Sequence, residues 1–267
     1  MPVRSRYLAT SSRLNPTGVS PGRSKAARLW CTNGAPPAPA ENTVLQVAAS
    51  VRVGYILPGM LSLDVYVVTS SGQIPGRGHR EVARAAVEGG ASAVQLRAPE
   101  LGDGELLPLA RDLAAHCRER GVLFLVNNRV EVAVESAADG VHVGQADHPE
   151  RVRERIGPKL ILGLSVVAPE QAREAEHLGA SYVSATVWAT QTKPEAVPLG
   201  LEGLRETCRL TSLPVLAIGG INTSNAGEVL AAGAAGVAVV SAVGAATDPA
   251  AATRELVGAV RAYREDT

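Results

Sequence analysis

From Leu63 to the C-terminus, short β-branched runs alternate with stretches of helical composition, and the runs number eight. They are Asp64–Thr69, Ala93–Arg97, Leu123–Asn127, Gly140–Gly144, Leu160–Val166, Tyr182–Trp188, Val215–Gly219 and Val237–Ala242. The helical segments lie around 79–89, 104–119, 129–137, 149–155, 169–178, 201–210, 223–232 and 249–263. Several open after Ser, Thr, Asp or Pro and close at Gly, the usual punctuation of a helix. Parallel neighbours need a crossover between them, so this alternation implies parallel strands joined by helices. Eight such units between residues 63 and 267 leave almost no room for insertions, which predicts short loops. The expected fold is α/β, a (β/α)8 TIM barrel forming one compact domain over 61–267 behind an extension, 1–60, expected to be disordered.

A doubly wound open sheet is the competing arrangement. It would use fewer strands and a glycine-rich turn after the first, whereas Thr69 is followed by Ser70-Ser71-Gly72-Gln73, without a G-x-G-x-x-G pattern. Composition also favours the barrel. The chain is 46% hydrophobic but holds one Phe and two Trp, so its core must be aliphatic, the expected filling of a parallel barrel.

Residues 1–45 mix Ser, Ala, Pro, Gly and Arg without periodicity and are not expected to join a packed core. The segment 1–60 carries seven basic residues and one acid, Glu41, which leaves 19 basic and 25 acidic residues of the 26 of each for the remainder. An Arg- and Ser-rich, acid-poor start resembles a transit peptide, although its Pro and Gly content opposes an amphipathic helix. The alternative is an overlong start, with Met60 as the true first residue. The mildly acidic remainder argues against a nucleic-acid binder. No run of about 18 apolar residues exists to span a membrane. Cys31, Cys117 and Cys208 lack metal-ligand spacing, and a reducing, cytoplasmic setting is the simple reading, with organellar import as the alternative. Pairing of two copies into a homodimer is left open.

Barrel chemistry sits at the carboxyl ends of the strands, so the polar residues there are the candidates. They are Gln95 and Arg97 after the second strand, Asn127 and Asn128 after the third, and His142, Gln145 and Asp147 after the fourth. Ser165 follows on the fifth, and Thr190, Thr192 and Lys193 follow the sixth. A guanidinium ending an apolar strand needs an anionic partner, either a substrate phosphate or a rim acid such as Glu100. His142 between valines reads as a hydrogen-bonded interior residue, and Trp188 as packing. Asp147 can bind magnesium or cap the helix starting near Pro149. Two hydroxyls and an ammonium in Thr190-Gln191-Thr192-Lys193 can hold phosphate oxygens. Gly219-Gly220 after strand seven and Val240-Ser241 at the end of strand eight suit backbone approach to a phosphate, with the helix after Asn222-Thr223 adding its N-terminus.

Taken together, these residues resemble the thiamine phosphate synthase and TenI family of small (β/α)8 barrels, over about Val65 to Tyr263. The carriers are Val94-Gln95-Leu96-Arg97, Val126-Asn127-Asn128-Arg129-Val130, the run Ala138–Asp147, Gly163-Leu164-Ser165, Thr190-Gln191-Thr192-Lys193, Ala217–Ile221 and Val239–Ala242. The resemblance implies a transferase of thiamine biosynthesis. It would join an aminopyrimidine methyl diphosphate to a thiazole ethyl phosphate, releasing pyrophosphate and leaving thiamine phosphate. It further implies that Arg97, Ser165 and Lys193 carry the chemistry, with Gln95 sharing the diphosphate, that Asn127 and Asn128 help bind the substrate, and that Asp147 binds Mg2+. Thr190 and Thr192 would hold phosphate oxygens, and Gly219, Gly220, Val240 and Ser241 would cradle the thiazole phosphate.

Three positions depart from the family pattern. Pro99 stands where a lysine follows the arginine, and Asn128 replaces an aspartate that binds magnesium, which predicts weaker metal affinity. Ser184–Ala189 replaces a Gly-Pro stretch. The TenI tautomerase histidine would fall near Val167, which cannot move a proton. The alternative reading is a non-catalytic barrel that binds thiazole phosphate or thiamine phosphate, and a barrel with another phosphate substrate is the third.

Overall fold

In a computed structural model the described residues are 61–71, 73–190 and 196–267, so the predicted extension and the calls on Thr192 and Lys193 lie outside them. Eight parallel strands close into a barrel in sequence order: β1 (Val65–Val68), β2 (Ala93–Leu96), β3 (Leu123–Asn127), β4 (Gly140–Val143), β5 (Ile161–Val166), β6 (Tyr182–Thr186), β7 (Val215–Ile218) and β8 (Gly236–Val239). Closure pairs Val65 of β1 with Val237 of β8. The helices are α1 (His79–Glu88), α2 (Asp103–Glu119), α3 (Val130–Glu135), α4 (Pro149–Ile156), α5 (Gln171–His177), α6 (Gly200–Leu210), α7 (Ala226–Ala231), α8 (Ser241–Gly244) and α9 (Pro249–Glu265), with a 3-10 turn at Gln145–Asp147. All eight expected strands and helices are present.

Alternation along the strands divides the apolar residues into two sets. Outward-facing Val65, Val67, Val94, Leu96, Val141, Val143, Leu162 and Leu164 meet the helices. Inward-facing Leu63, Tyr66, Ala93, Leu125, Ile161, Tyr182, Leu216 and Ala238 fill the barrel. The interior takes two tyrosines because small residues face them: a Cβ at Gly163 would stand 2.3 Å from the Tyr182 hydroxyl and 2.5 Å from His142 Nδ1. Gly163 is the space that His142 and Tyr182 occupy.

Differences from expectation collect at the mouth. Strand eight, expected to reach Ala242, stops at Val239, and Ser241 opens the four-residue α8 instead of ending a strand. The strand cannot continue because Val240 adopts ψ −78°, a helical value. Helix α7 starts at Ala226, later than the expected 223, because the Asn225 side chain turns back onto Asn222 N–H and Gly220 O. Among the described helices only α9 has a side-chain cap, from Asp248 to the N–H groups of Ala250 and Ala251. Cys117 is buried and Cys208 half-buried.

Candidate active site

At the carboxyl ends of the strands a cavity opens, lined by nine of the residues to which the family resemblance gives a role: Gln95, Arg97, Asn127, Ser165, Thr190, Gly219, Gly220, Val240 and Ser241. Six different strands or their following turns supply them, which is why they are scattered in sequence. Asn128 and Asp147 are not part of its lining. Val68, Leu216, Ile218, Ala238 and Val240 supply its apolar wall.

The floor of the cavity is a chain of buried polar groups. Gln95 Nε2 donates to the Tyr66 hydroxyl at 2.8 Å, and the Tyr66 and Tyr182 hydroxyls lie 2.9 Å apart. Tyr182 Oη then meets His142 Nδ1 at 2.8 Å, and His142 Nε2 meets Ser165 Oγ at 2.9 Å. The imidazole also stacks on the Tyr182 ring at a centroid distance of 5.5 Å. One proton direction leaves no phenol hydrogen without an acceptor along this chain. Each group donates to the next, from Gln95 through Tyr66, Tyr182 and His142 Nε2–H to Ser165 Oγ. Ser165 thereby accepts from below and keeps its own hydrogen for a ligand in the cavity. Burial raises the Tyr66 phenol to about 12, against its hydrogen bonds with Gln95 and Tyr182, which pull it down. Burial also pushes Tyr182 well above the usual range, and the neighbouring Tyr66 adds to it. The floor therefore keeps its phenol protons at any pH near neutrality. Sequence reading identified His142 as an interior hydrogen-bonded residue. It did not find Tyr66 and Tyr182, although their inward positions two and four residues from strand ends were a usable signal.

Arg97 leaves β2 into the cavity. Its backbone N–H donates to Thr69 Oγ1 at 3.2 Å, and among the described residues its guanidinium has no ion-pair partner. The alternative partner weighed from sequence, Glu100, is taken by His79: Nε2 lies 2.6 Å from Glu100 Oε1. Burial alone would raise the Glu100 carboxyl, but hydrogen bonds from His79 and Ser71 dominate and hold it at about 2. An uncompensated guanidinium at a cavity wall is an anion site.

In the same cavity lining, Gly219 and Gly220 both take left-handed conformations, φ +97° and +69°. A Cβ at Gly219 would stand 2.6 Å from the Trp188 carbonyl, so no other residue fits without moving the chain. Trp188 packs on the core and walls this turn, in line with its reading as a packing residue. Among the described residues the N–H groups of Gly219 and Gly220 have no acceptor, and both residues line the cavity. Asn225 braces the turn, with Nδ2 donating to Gly220 O at 3.0 Å and Oδ1 accepting from Asn222 N at 2.9 Å. Behind the cup, Arg77 donates to the carbonyls of Gly244, Ala246 and Thr247 at the far end of α8. Asn225 and Arg77 were not singled out from sequence.

Asp147 Oδ2 accepts from Gly144 N at 2.7 Å, closing its own 3-10 turn. It does not cap α4, whose N-cap is His148 at φ +52°. Asn128 sits in the turn after the neighbouring β3 at φ +60°, a conformation asparagine tolerates, and donates its N–H to His142 O. No group of three His, Cys, Asp or Glu side chains is arranged to hold a metal ion among the described residues. One carboxylate and one amide oxygen in adjacent turns are hard donors of the kind magnesium takes when substrate phosphates and water complete its shell. They fit such an ion as a partial set.

Residues 65–243 match the family model for thiamine monophosphate synthase. The thiamine-phosphate synthase of Methanocella arvoryzae is 46% identical over 207 residues, spanning 76% of this chain and 98% of that protein. The thiamine-phosphate synthase of a Roseiflexus species is 49% identical over 195 residues, spanning 72% and 83%. Among solved structures, the thiamine phosphate pyrophosphorylase from Pyrococcus furiosus superposes with a TM-score of 0.70 at 41% identity, over 76% of this chain and 98% of that one.

Proposed function

The chain belongs to the thiamine monophosphate synthase family, and on that premise we propose how its residues perform the transfer. It is a thiamine-phosphate synthase-type transferase of thiamine biosynthesis, joining an aminopyrimidine methyl diphosphate to a thiazole ethyl phosphate. The bond between the pyrimidine methylene and the diphosphate breaks with its electrons leaving on pyrophosphate. The thiazole nitrogen lone pair then closes the new C–N bond. No proton has to be removed by the protein, in keeping with a cavity floor whose phenols are pushed away from ionisation.

The observation that carries the assignment is the pairing of two anion sites across one cavity. Arg97, unpaired among the described residues, faces the diphosphate. The N–H groups of Gly219 and Gly220, without an acceptor among the described residues, hold the thiazole phosphate with Val240 and Ser241. The apolar wall and the Ser165 hydroxyl between them take the pyrimidine ring. Holding both substrates in one cavity supplies the orientation that makes the transfer unimolecular, and fixed positive groups stabilise the leaving charge. Gln95 is engaged by Tyr66, so of the β2 pair Arg97 is the one that meets the diphosphate. Thr190 and the following Thr192 and Lys193 complete the diphosphate side. Asp147, with Asn128 in the adjacent turn, would hold Mg2+, which when bound neutralises charge on the pyrophosphate, and Asn127 on the cavity wall would meet the substrate. Pro99 removes one cation that the family pattern supplies, so Arg97 and Lys193 carry a larger share. The partners are small phosphorylated substrates, with no nucleic acid, in a cytoplasmic setting. None of the described helices is long and apolar enough to cross a membrane.

The test is a split in the kinetics of two variants. Arg97→Ala should raise KM for the diphosphate and lower kcat, leaving KM for the thiazole phosphate unchanged. Gly219→Ala should do the reverse on KM. Equal effects on both substrates in both variants would refute the two-site assignment.

A further inference from the structure

We propose that His79 is a positioning residue that sequesters Glu100 and so keeps the Arg97 guanidinium open for the diphosphate. Arg97 and Glu100 stand three residues apart after β2, close enough in the chain for their opposite charges to pair. They do not pair here. His79, the first residue of α1 and only 6% exposed, reaches across from the preceding strand–helix unit and takes Glu100 Oε1 at 2.6 Å. Its other nitrogen is fixed by the fully buried Thr69, with Nδ1 2.9 Å from Oγ1. The same Thr69 oxygen accepts the Arg97 N–H at 3.2 Å. One buried hydroxyl thus holds the backbone of the cation and, through His79, the side chain of its competitor. Both ring nitrogens are occupied, so the imidazole cannot turn away from Glu100 without losing Thr69. Thr69 is wholly buried and does not face the cavity, which excludes reading the Thr–His–Glu row as a nucleophilic triad. Pro99 beside Glu100 supplies no cation of its own, so a Glu100 released by His79 and held, among side chains, only by the Ser71 hydroxyl would turn to the charged Arg97.

This inference rests on the proposed contact between Arg97 and the diphosphate. Four variants of the full chain separate the two. His79→Asn keeps a polar group near Thr69 but is too short for Glu100, whereas His79→Gln can place its amide where Nε2 stood. An ion pair at such a rim changes binding by about 2- to 5-fold. H79N should therefore raise KM for the aminopyrimidine diphosphate by about that factor, with kcat and KM for the thiazole phosphate unchanged, and H79Q should not. E100Q alone should leave KM unchanged, and H79N/E100Q should restore it even if urea unfolding shows the double variant no more stable than H79N. A purely structural role for the pair predicts that E100Q raises KM as H79N does and that the double variant is no better than either. That result, which E100Q alone can deliver should H79N not fold, overturns the inference. R97Q is the separate control. If R97Q leaves the diphosphate KM unchanged, the diphosphate assignment itself fails and the sequestration role with it. If R97Q impairs binding but H79N/E100Q does not recover, sequestration alone fails.

Discussion

Removing one hydroxyl from the barrel floor, by Tyr182→Phe, should cost both stability and turnover. Tyr182 is wholly buried and its hydroxyl joins Tyr66 Oη at 2.9 Å to His142 Nδ1 at 2.8 Å. Phenylalanine keeps the ring, so almost no apolar contact is lost and the void is the size of one oxygen beside Gly163. The cost is in hydrogen bonds. Two net contributions of about 1 kcal/mol each disappear, and the His142 nitrogen and the Tyr66 proton are left in the interior without partners, so the total should reach roughly 2–4 kcal/mol. At about 2–4 °C per kcal/mol for a domain of this size, the midpoint should drop by roughly 5–15 °C. Urea unfolding followed by circular dichroism measures the first figure and thermal melting the second.

Tyr66→Phe is the matched control. It severs the chain one link earlier, between Gln95 and Tyr182, and leaves the Tyr182–His142–Ser165 segment intact. It should lose a similar amount of stability, but kcat should fall much less than in Y182F, in which the imidazole that orients Ser165 is no longer fixed. For Y182F a tenfold loss in kcat corresponds to about 1.4 kcal/mol of misplaced transition-state stabilisation. A Y182F protein within about 0.5 kcal/mol of the parent, or equal kcat losses in the two variants, would show that the chain does not act as a directed unit.

Asn225→Ala should raise KM for the thiazole phosphate while leaving the diphosphate KM alone, since it frees Gly220 O and Asn222 N–H at the glycine turn; initial-rate kinetics measure both. Glu176 accepts from Thr211 and Ser212, and these hydrogen bonds hold its carboxyl at about 2, below its ordinary 4.5. A depressed carboxyl stabilises the fold above the unfolded pKa and loses that contribution as pH falls from about 4.5 to 2, so Glu176→Gln should lower stability at pH 7, flatten the acid limb, and converge with the parent near pH 2. Gly163→Ala should be worse than either tyrosine variant in melting temperature, because its Cβ would overlap both Tyr182 and His142.

The sequence made the barrel legible because each strand is an aliphatic run bounded by helical punctuation, a local signal repeated eight times. Arg97 and the glycine pair were legible for a similar reason: a guanidinium ending an apolar strand and two adjacent glycines are locally out of place. The floor was not. Tyr66, His142 and Tyr182 come from β1, β4 and β6, and each alone looks like barrel filling, so their chain of hydrogen bonds exists only after closure. The capture of Glu100 by His79 was hidden likewise, because a partner three residues away in sequence looked nearer than one 21 residues away. The early end of β8 and the late start of α7 follow from the conformation of Val240 and the side chain of Asn225, neither of which leaves a periodic trace.

The most direct measurement is product formation by the full chain. Supplied with aminopyrimidine methyl diphosphate, thiazole ethyl phosphate and Mg2+, it should form thiamine phosphate, read by the fluorescence of its oxidised form, with one pyrophosphate released per product. Chelation of the metal should suppress the rate. Binding of the thiazole phosphate by calorimetry with no product at any metal concentration would contradict the account and identify a phosphate-binding barrel without transferase activity.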